Sequence, residues 1–211
     1  MLLVLALGCS SRTEGPPRDP QATRAPDLVD VASLDPTLEL DVRYATANNF
    51  VGRPVYPAGT RVWLQRPAAE AVVRAHRRLG QYGYGLVLLD GYRPWSVTRL
   101  FWEITPPAQR AYVADPAQGS RHNRGCAVDV TLYDRTTGRL VGMPSEYDDF
   151  SGRAHPDYEG GTPEARARRE LLRLAMENEG FTVYPAEWWH YDCDGWEQWP
   201  VLDVPIETLG R

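Results

Sequence analysis

Four short stretches hold side chains that a hydrophobic core avoids. They are SRHNRGCAVD (120–129), EWWHYD (187–192), DGYRP (90–94) and SEYDDF (145–150). In the first, His122 and Asp129 stand on either side of Gly125. A turn at that glycine followed by a strand brings an imidazole and a carboxylate to one point, and both are good Zn²⁺ ligands. A catalytic zinc takes three protein ligands and keeps one position open. His190 supplies the third ligand. Glu187, three residues earlier, fits a general base for a hydrolytic water. On a regular strand that spacing puts Glu187 and His190 on opposite faces, so a bend or bulge is required between them.

Each of these residues also has a plainer reading. A lone His-Asp pair is most often a structural hydrogen bond or ion pair. His76, among arginines on a helix, and His155, in a polar loop, read as surface residues. Trp188 and Trp189 read as packing walls. Asp90 reads equally as a turn former, and Arg93 as a surface guanidinium.

The elements that must position these groups are visible in the hydrophobic pattern. Around Leu38, Leu40 and Val42 the alternation predicts a short extended segment. The run RPAAEAVVRAHRRLG predicts a helix, with Pro67 in the first turn and Gly80 or Gly83 ending it. LVLLDGYRP reads as a buried strand entering a turn, and SVTRLFWEI as a helix. GCAVDVTLYD alternates, which predicts a strand with Ala127, Asp129 and Thr131 on a polar side. TPEARARRELLRLAMENEG predicts a helix with Thr162 as N-cap and Gly180 just past its end. FTVY and EWWHYD read as two further strands. Without a regular βαβ rhythm, the expected fold class is α+β: one domain with a mostly antiparallel central sheet flanked by helices.

Length and composition set the outer limits. The 211 residues are 43% hydrophobic and 24% charged, with a formal net charge of −5. That balance suits one globular domain and gives no general attraction to nucleic acid or anionic membrane. Seven Trp and eleven Tyr suit an aromatic-lined pocket. The start, MLLVLALGCSSRTEG, has an apolar run ending at Gly8-Cys9, like a lipoprotein signal, although no basic residue precedes it. Residues 1–25 are therefore expected to be a signal-like segment and tether, with Cys9 lipidated and the protein attached to the cell envelope. Residues 26–211 are expected to form the catalytic domain. Without a working signal the location becomes cytoplasmic. Cys126 and Cys193 remain as either a disulfide or two part-buried thiols. The oligomeric state is open.

SRHNRGCAVD and EWWHYD, in this order, resemble the zinc D,D-peptidases of the M15 class, with their Ser-x-His-x-x-Gly-x-Ala-x-Asp pattern followed by Glu-x-x-His. RYATANNFVGRPVY, YGLVLLDGYRP, AVDVTLYD and GFTVYPAEWWHY look like the VanX-type D-alanyl-D-alanine dipeptidases. The resemblance spans about residues 30–192. It implies one Zn²⁺ held by His122, Asp129 and His190, with Glu187 as catalytic base. It implies Arg93 on the developing oxyanion, Asp148 and Tyr44 at the substrate ammonium, and Ser120 at the substrate carboxylate. The implied substrate is the free dipeptide D-alanyl-D-alanine. Two departures bear on specificity. MPSEYDDF has Pro144 and Ser145 where the family usually shows Gly-Thr, and Asp149 adjoins Asp148 as a rival for the ammonium, with Asp148 favoured. The competing functions are a zinc D,D-carboxypeptidase or endopeptidase on peptidoglycan stems, and a non-catalytic module that only binds wall peptides.

Overall fold

The computed structural model describes residues 15–210, so the expected lipidation at Cys9 lies outside the described residues. The elements in chain order are β1 (Leu28–Asp30), α1 (Val31–Leu34), β2 (Glu39–Leu40), β3 (Trp63–Gln65), α2 (Arg66–Gly80), β4 (Tyr84–Asp90), α3 (Trp95–Ile104), β5 (Ala127–Asp134), α4 (Pro163–Glu177), β6 (Phe181–Tyr184) and β7 (Glu187–Cys193). Five strands form one sheet in the order β2-β4-β5-β7-β6. Only β2 runs parallel to its neighbour. β1 and β3 form a separate antiparallel pair. The α+β expectation holds.

The helices follow their sequence signals. Thr162 caps α4 by accepting the Ala165 N–H, and Glu164 faces the same amide-rich end. Pro67 occupies the first turn of α2. α2 buries Ala68, Ala69, Ala71, Val72, Val73, Ala75 and Leu79, and its small side chains let it lie close against β4 and α4. β5 is the middle strand, and its residues on both faces are buried, Thr131 among them. The polar side expected for β5 is therefore an internal one. The segment around Leu38–Val42 contributes only a two-residue strand before a 3₁₀ turn at Arg43–Ala45.

His76 corrects its expectation. It is 1% exposed, and its Nδ1 accepts the Leu86 N–H at 3.0 Å while Nε2 meets the Thr37 hydroxyl at 2.9 Å. The helix spacing was right, but position 76 lies on the face that meets β4. His155 is half-buried. Cys126 and Cys193 are both buried thiols, and Cys193 N–H donates to Cys126 C=O at 2.7 Å across β5 and β7. In the stretch read as a tether, Thr23 and Arg24 donate to Gln198 C=O, and Asp19 pairs with Arg124.

Two irregularities in the sheet decide where the polar groups point. Leu88 pairs with Val130 but Asp90 pairs with Asp129, so Leu89 is an extra residue in β4. In β7 the pairing with β6 jumps from Val183↔Tyr191 to Tyr184↔Glu187. Trp188, Trp189 and His190 fall inside that jump. This is the break required to bring Glu187 and His190 together.

Candidate metal centre

Asp90, Asp129 and His190 stand opposite one another across β4, β5 and β7. His122 approaches from a 3₁₀ turn, His122–Arg124, that precedes β5. Gly125 closes this turn at φ 67°, and a Cβ there would come within 2.5 Å of Leu28 Cδ2. Glycine is thus required both by the backbone angle and by the packing. Asn123 ties the turn to the β4–α3 corner by donating to Arg93 C=O and Thr98 Oγ1, at 2.9 and 2.8 Å. Arg93 N–H returns the link to His122 C=O at 3.1 Å.

The donor atoms converge. His122 Nε2, His190 Nδ1 and Asp129 Oδ1 lie 3.1–3.4 Å from one another. Ligand bonds of about 2.1 Å in tetrahedral geometry put ligand atoms roughly 3.4 Å apart, so the triad has the size of a zinc site. The outer atoms are already engaged. His122 Nδ1–H donates to Gly91 C=O at 2.8 Å, which leaves Nε2 as a lone pair. His190 Nε2–H donates to Asp192 Oδ1 at 2.9 Å, which frees Nδ1. Tyr147 O–H donates to Asp129 Oδ2 at 2.8 Å, while Asp129 Oδ1 is buried with no hydrogen-bond donor. A buried carboxylate oxygen without a donor, facing two imidazole lone pairs, fits a dication.

Burial opposes the Asp129 charge, but the two histidines hold its carboxyl well below the usual range. Burial also opposes a charge on His190, yet Asp129 and Asp192 push its imidazole up to about 10, so a cation entering the triad displaces a proton from Nδ1 and leaves the lone pair to bind it. The cluster is thus built to attract a cation.

Glu187 stands beside the triad, its Oε2 3.7 Å from His190 Nδ1. Burial pushes its carboxyl up to about 8, His190 opposes this, and Asp129 and Asp148 add to it. Arg93 is 9% exposed, so it is not a surface guanidinium. Its Nε and Nη2 both donate to Asp90 Oδ2, at 3.1 and 2.8 Å, and the Tyr44 and Phe101 rings flank it. Asp90 does make the turn, by accepting the Gly91 N–H, but it also anchors Arg93 and accepts the Tyr56 hydroxyl. Burial works against the Arg93 charge, and Asp90 with the surrounding tyrosines holds its pKa well above the usual range.

Asp148 sits at φ 58°, a left-handed conformation that Asp and Asn tolerate better than most residues. Its Oδ1 accepts the Tyr44 hydroxyl at 3.2 Å and its Oδ2 the Phe50 N–H at 3.1 Å. Burial pushes this carboxyl up to about 7. Asp149 turns elsewhere and accepts the Ser151 hydroxyl at 2.6 Å. Ser120 is buried, and its Oγ accepts the His122 N–H at 3.2 Å. All eight residues expected from the sequence line one cavity of about 370 Å³, at the small end for ligand sites. Trp189 also lines it, whereas Trp188 packs behind and donates to Ser145 Oγ at 2.9 Å.

Sequence reasoning missed Tyr147, Asp192 and the anchoring role of Asp90. Asp192 lies two residues from His190 on the same strand face, a spacing that could have flagged it. Nothing local points from Tyr147 to Asp129.

One cavity that gathers two histidines, a carboxylate and an adjacent acid has the makings of a zinc metallopeptidase, and residues 24–203 match the M15 peptidase family, described as D-ala-D-ala dipeptidase. The chain belongs to that family. Three relatives are each named D-alanyl-D-alanine dipeptidase. The one from Escherichia coli K12 is 34% identical over 176 residues, 83% of this chain and 89% of that one. The one from Enterococcus faecium is 37% identical over 172 residues, 72% and 83% of the two chains. The one from Streptomyces coelicolor is 35% identical over 186 residues, 78% and 90%. Zn²⁺ is the cofactor, bound by His122, Asp129 and His190.

Proposed function

We infer that this chain hydrolyses the free dipeptide D-alanyl-D-alanine to two molecules of D-alanine. The observation that carries this reading is one small cavity holding both the zinc triad and a buried acid, Asp148, suited to an α-ammonium group. An extended peptide with a blocked amino end would strand that acid unpaired.

The chemistry follows from the placement of the side chains. Zn²⁺ held by His122, Asp129 and His190 would supply the Lewis acidity for the scissile carbonyl and the attacking water. Glu187 takes the water's proton and returns it to the leaving amine. Its raised pKa suits both steps, since a weakly acidic carboxyl binds and releases a proton near neutrality. Arg93, already aligned by Asp90, offers its remaining donors to the carbonyl oxygen as negative charge builds there. Asp148 and the Tyr44 hydroxyl receive the substrate ammonium, and Ser120 serves the carboxylate end. Trp189 and Tyr147 close the wall, their ring centres 5.3 Å apart, and limit bulk water.

The deciding experiment measures amine release from D-alanyl-D-alanine, L-alanyl-L-alanine and N-acetyl-D-alanyl-D-alanine, with and without a chelator. Only the free D,D-dipeptide should be cleaved, and chelation should abolish that cleavage. Cleavage of the acetylated substrate instead would move the enzyme to the carboxypeptidase class. Zinc binding with no cleavage of any of the three would leave the wall-peptide-binding reading.

We further propose a place in the cell envelope, on the strength of the Gly8-Cys9 junction after the apolar start. An enzyme there would recover D-alanine from wall turnover. Labelled palmitate should enter the full-length protein and fail to enter Cys9→Ser. Unlabelled, cytosolic protein would sink this placement.

A further inference from the structure

Three arginines line the cavity: Arg93, Arg121 and Arg124. Two of them are committed. Arg93 spends Nε and Nη2 on Asp90. Arg124 is 6% exposed and bridges Trp199 C=O and Asp19. Arg121 differs from both. Its side chain is 38% exposed, and its Nε stands 3.5 Å from Asp192 Oδ2, a loose ion pair at the range where a fork has donors to spare. Its guanidinium lies over the Trp196 ring at 4.7 Å, which orients the group without using its N–H donors.

The position of Arg121 follows from a chain of contacts through the triad. Tyr147, the neighbour of Asp148, donates to Asp129 Oδ2. Asp129 Oδ1 faces His190 Nδ1 at 3.1 Å. His190 Nε2 donates to Asp192 Oδ1, and Asp192 Oδ2 faces Arg121. Asp148 and Arg121 therefore stand at the two ends of this run of contacts, with the triad between them along it. A free dipeptide is a zwitterion, with its cation and anion at opposite ends and the scissile bond between. The cavity matches that order: acid, metal ligands, arginine. Ser120, next in sequence to Arg121, also lines the cavity but offers a hydroxyl without charge.

We propose that Arg121 is the counter-charge that receives the C-terminal carboxylate of the dipeptide, so that it sets the requirement for a free carboxyl end. This rests on the dipeptidase reading above. Arg121 touches substrate rather than the reacting atoms, so its loss acts on binding more than on turnover.

The test compares D-alanyl-D-alanine with D-alanyl-D-alaninamide, whose C-terminus is uncharged, on zinc-loaded enzyme. Arg121→Gln should raise KM for the acid about 10–100-fold, the range of a charge-assisted hydrogen bond, with kcat within a few-fold. kcat/KM for the amide should stay within about threefold, since that substrate has no charge for Arg121 to meet. Arg121→Lys should recover part of the loss, and zinc content should be unchanged in both variants. Equal loss on acid and amide would overturn the proposal and leave Arg121 a support for Trp196 and Asp192. No loss on either would overturn it too. Calorimetry adds a readout independent of turnover: in a Glu187→Gln background, Arg121→Gln should weaken binding of D-alanyl-D-alanine by the same 10–100-fold. If the wild type cleaves no dipeptide while Glu187→Gln still binds it in an Arg121-dependent way, the proposed function falls and the carboxylate pairing stands.

Discussion

Glu187→Gln is expected to lower kcat by about 10³–10⁴ while the protein keeps its zinc. General acid–base catalysis contributes about 10²–10⁴ in rate, and here one group serves water activation and amine protonation alike. The amide is the same size as the carboxylate and cannot accept the proton. Glu187 lies outside the set of three mutually close donors, 3.7 Å from His190 Nδ1, so metal content should not change. The fold should hold as well, because the substitution removes a charge that burial disfavours. Turnover and metal content measured on the same sample decide the matter. Full activity in the variant would remove Glu187 from its role. Loss of activity together with loss of zinc would instead make it a ligand.

Asp148→Asn should split function from stability. Asn keeps the size and tolerates the left-handed backbone at this position. It removes the charge that meets the ammonium, so kcat/KM for the dipeptide should fall about 10²–10³-fold, the scale of breaking a desolvated charge pair. In the wild type kcat/KM should drop as pH falls through the Asp148 value, at about 7, because only the ionised acid binds the cation. Zinc nearby shifts that limb downward. The variant should lack the limb.

Stability should move the other way. The Asp148 carboxyl is raised from an unfolded value near 4 to about 7, so between those pH values the folded state holds more protons than the unfolded one. Stability is therefore lost as pH rises from about 4 to 7, and the full cost is present above 7. Asn removes that cost but gives up the bond from the Phe50 N–H. A net gain of about 2 kcal/mol is expected at pH 8, or roughly 4–8 °C in Tm for a chain of this size. At pH 4 the variant should show no such gain. Thermal melts of the metal-free, substrate-free protein at both pH values provide the check. Equal Tm at pH 8 would mean that the acid is not held at an energetic cost, and its assignment to the ammonium would weaken.

Local elements and donor types were legible in the sequence because they depend on short-range rules. Helical spacing marked α2, Thr162 marked the start of α4, alternation marked β5, and EWWHYD was read as the strand that is β7. The chemistry of His122, Asp129, His190 and Glu187 was legible because few residue types can hold zinc or move a proton, and all four lie in two short stretches. The misreadings also have short-range causes. His76 shares its helix with arginines, and only the packing of α2 against β4 turns that position inward.

The sequence by itself determined which groups were available and roughly which strands and helices would carry them. It even required a break between Glu187 and His190, because a two-residue side-chain period cannot bring positions three apart to one face. Only the tertiary structure decided how these groups act together. Register across β4, β5 and β7 put Asp90, Asp129 and His190 in one row, and the extra Leu89 set where Asp90 would fall. Tyr44 meets Asp148 across 104 residues of chain, and Arg121 meets the far oxygen of a carboxylate whose near oxygen holds His190. Such pairings arise from sheet register and loop closure, which depend on the whole folded chain, and no local spacing encodes them.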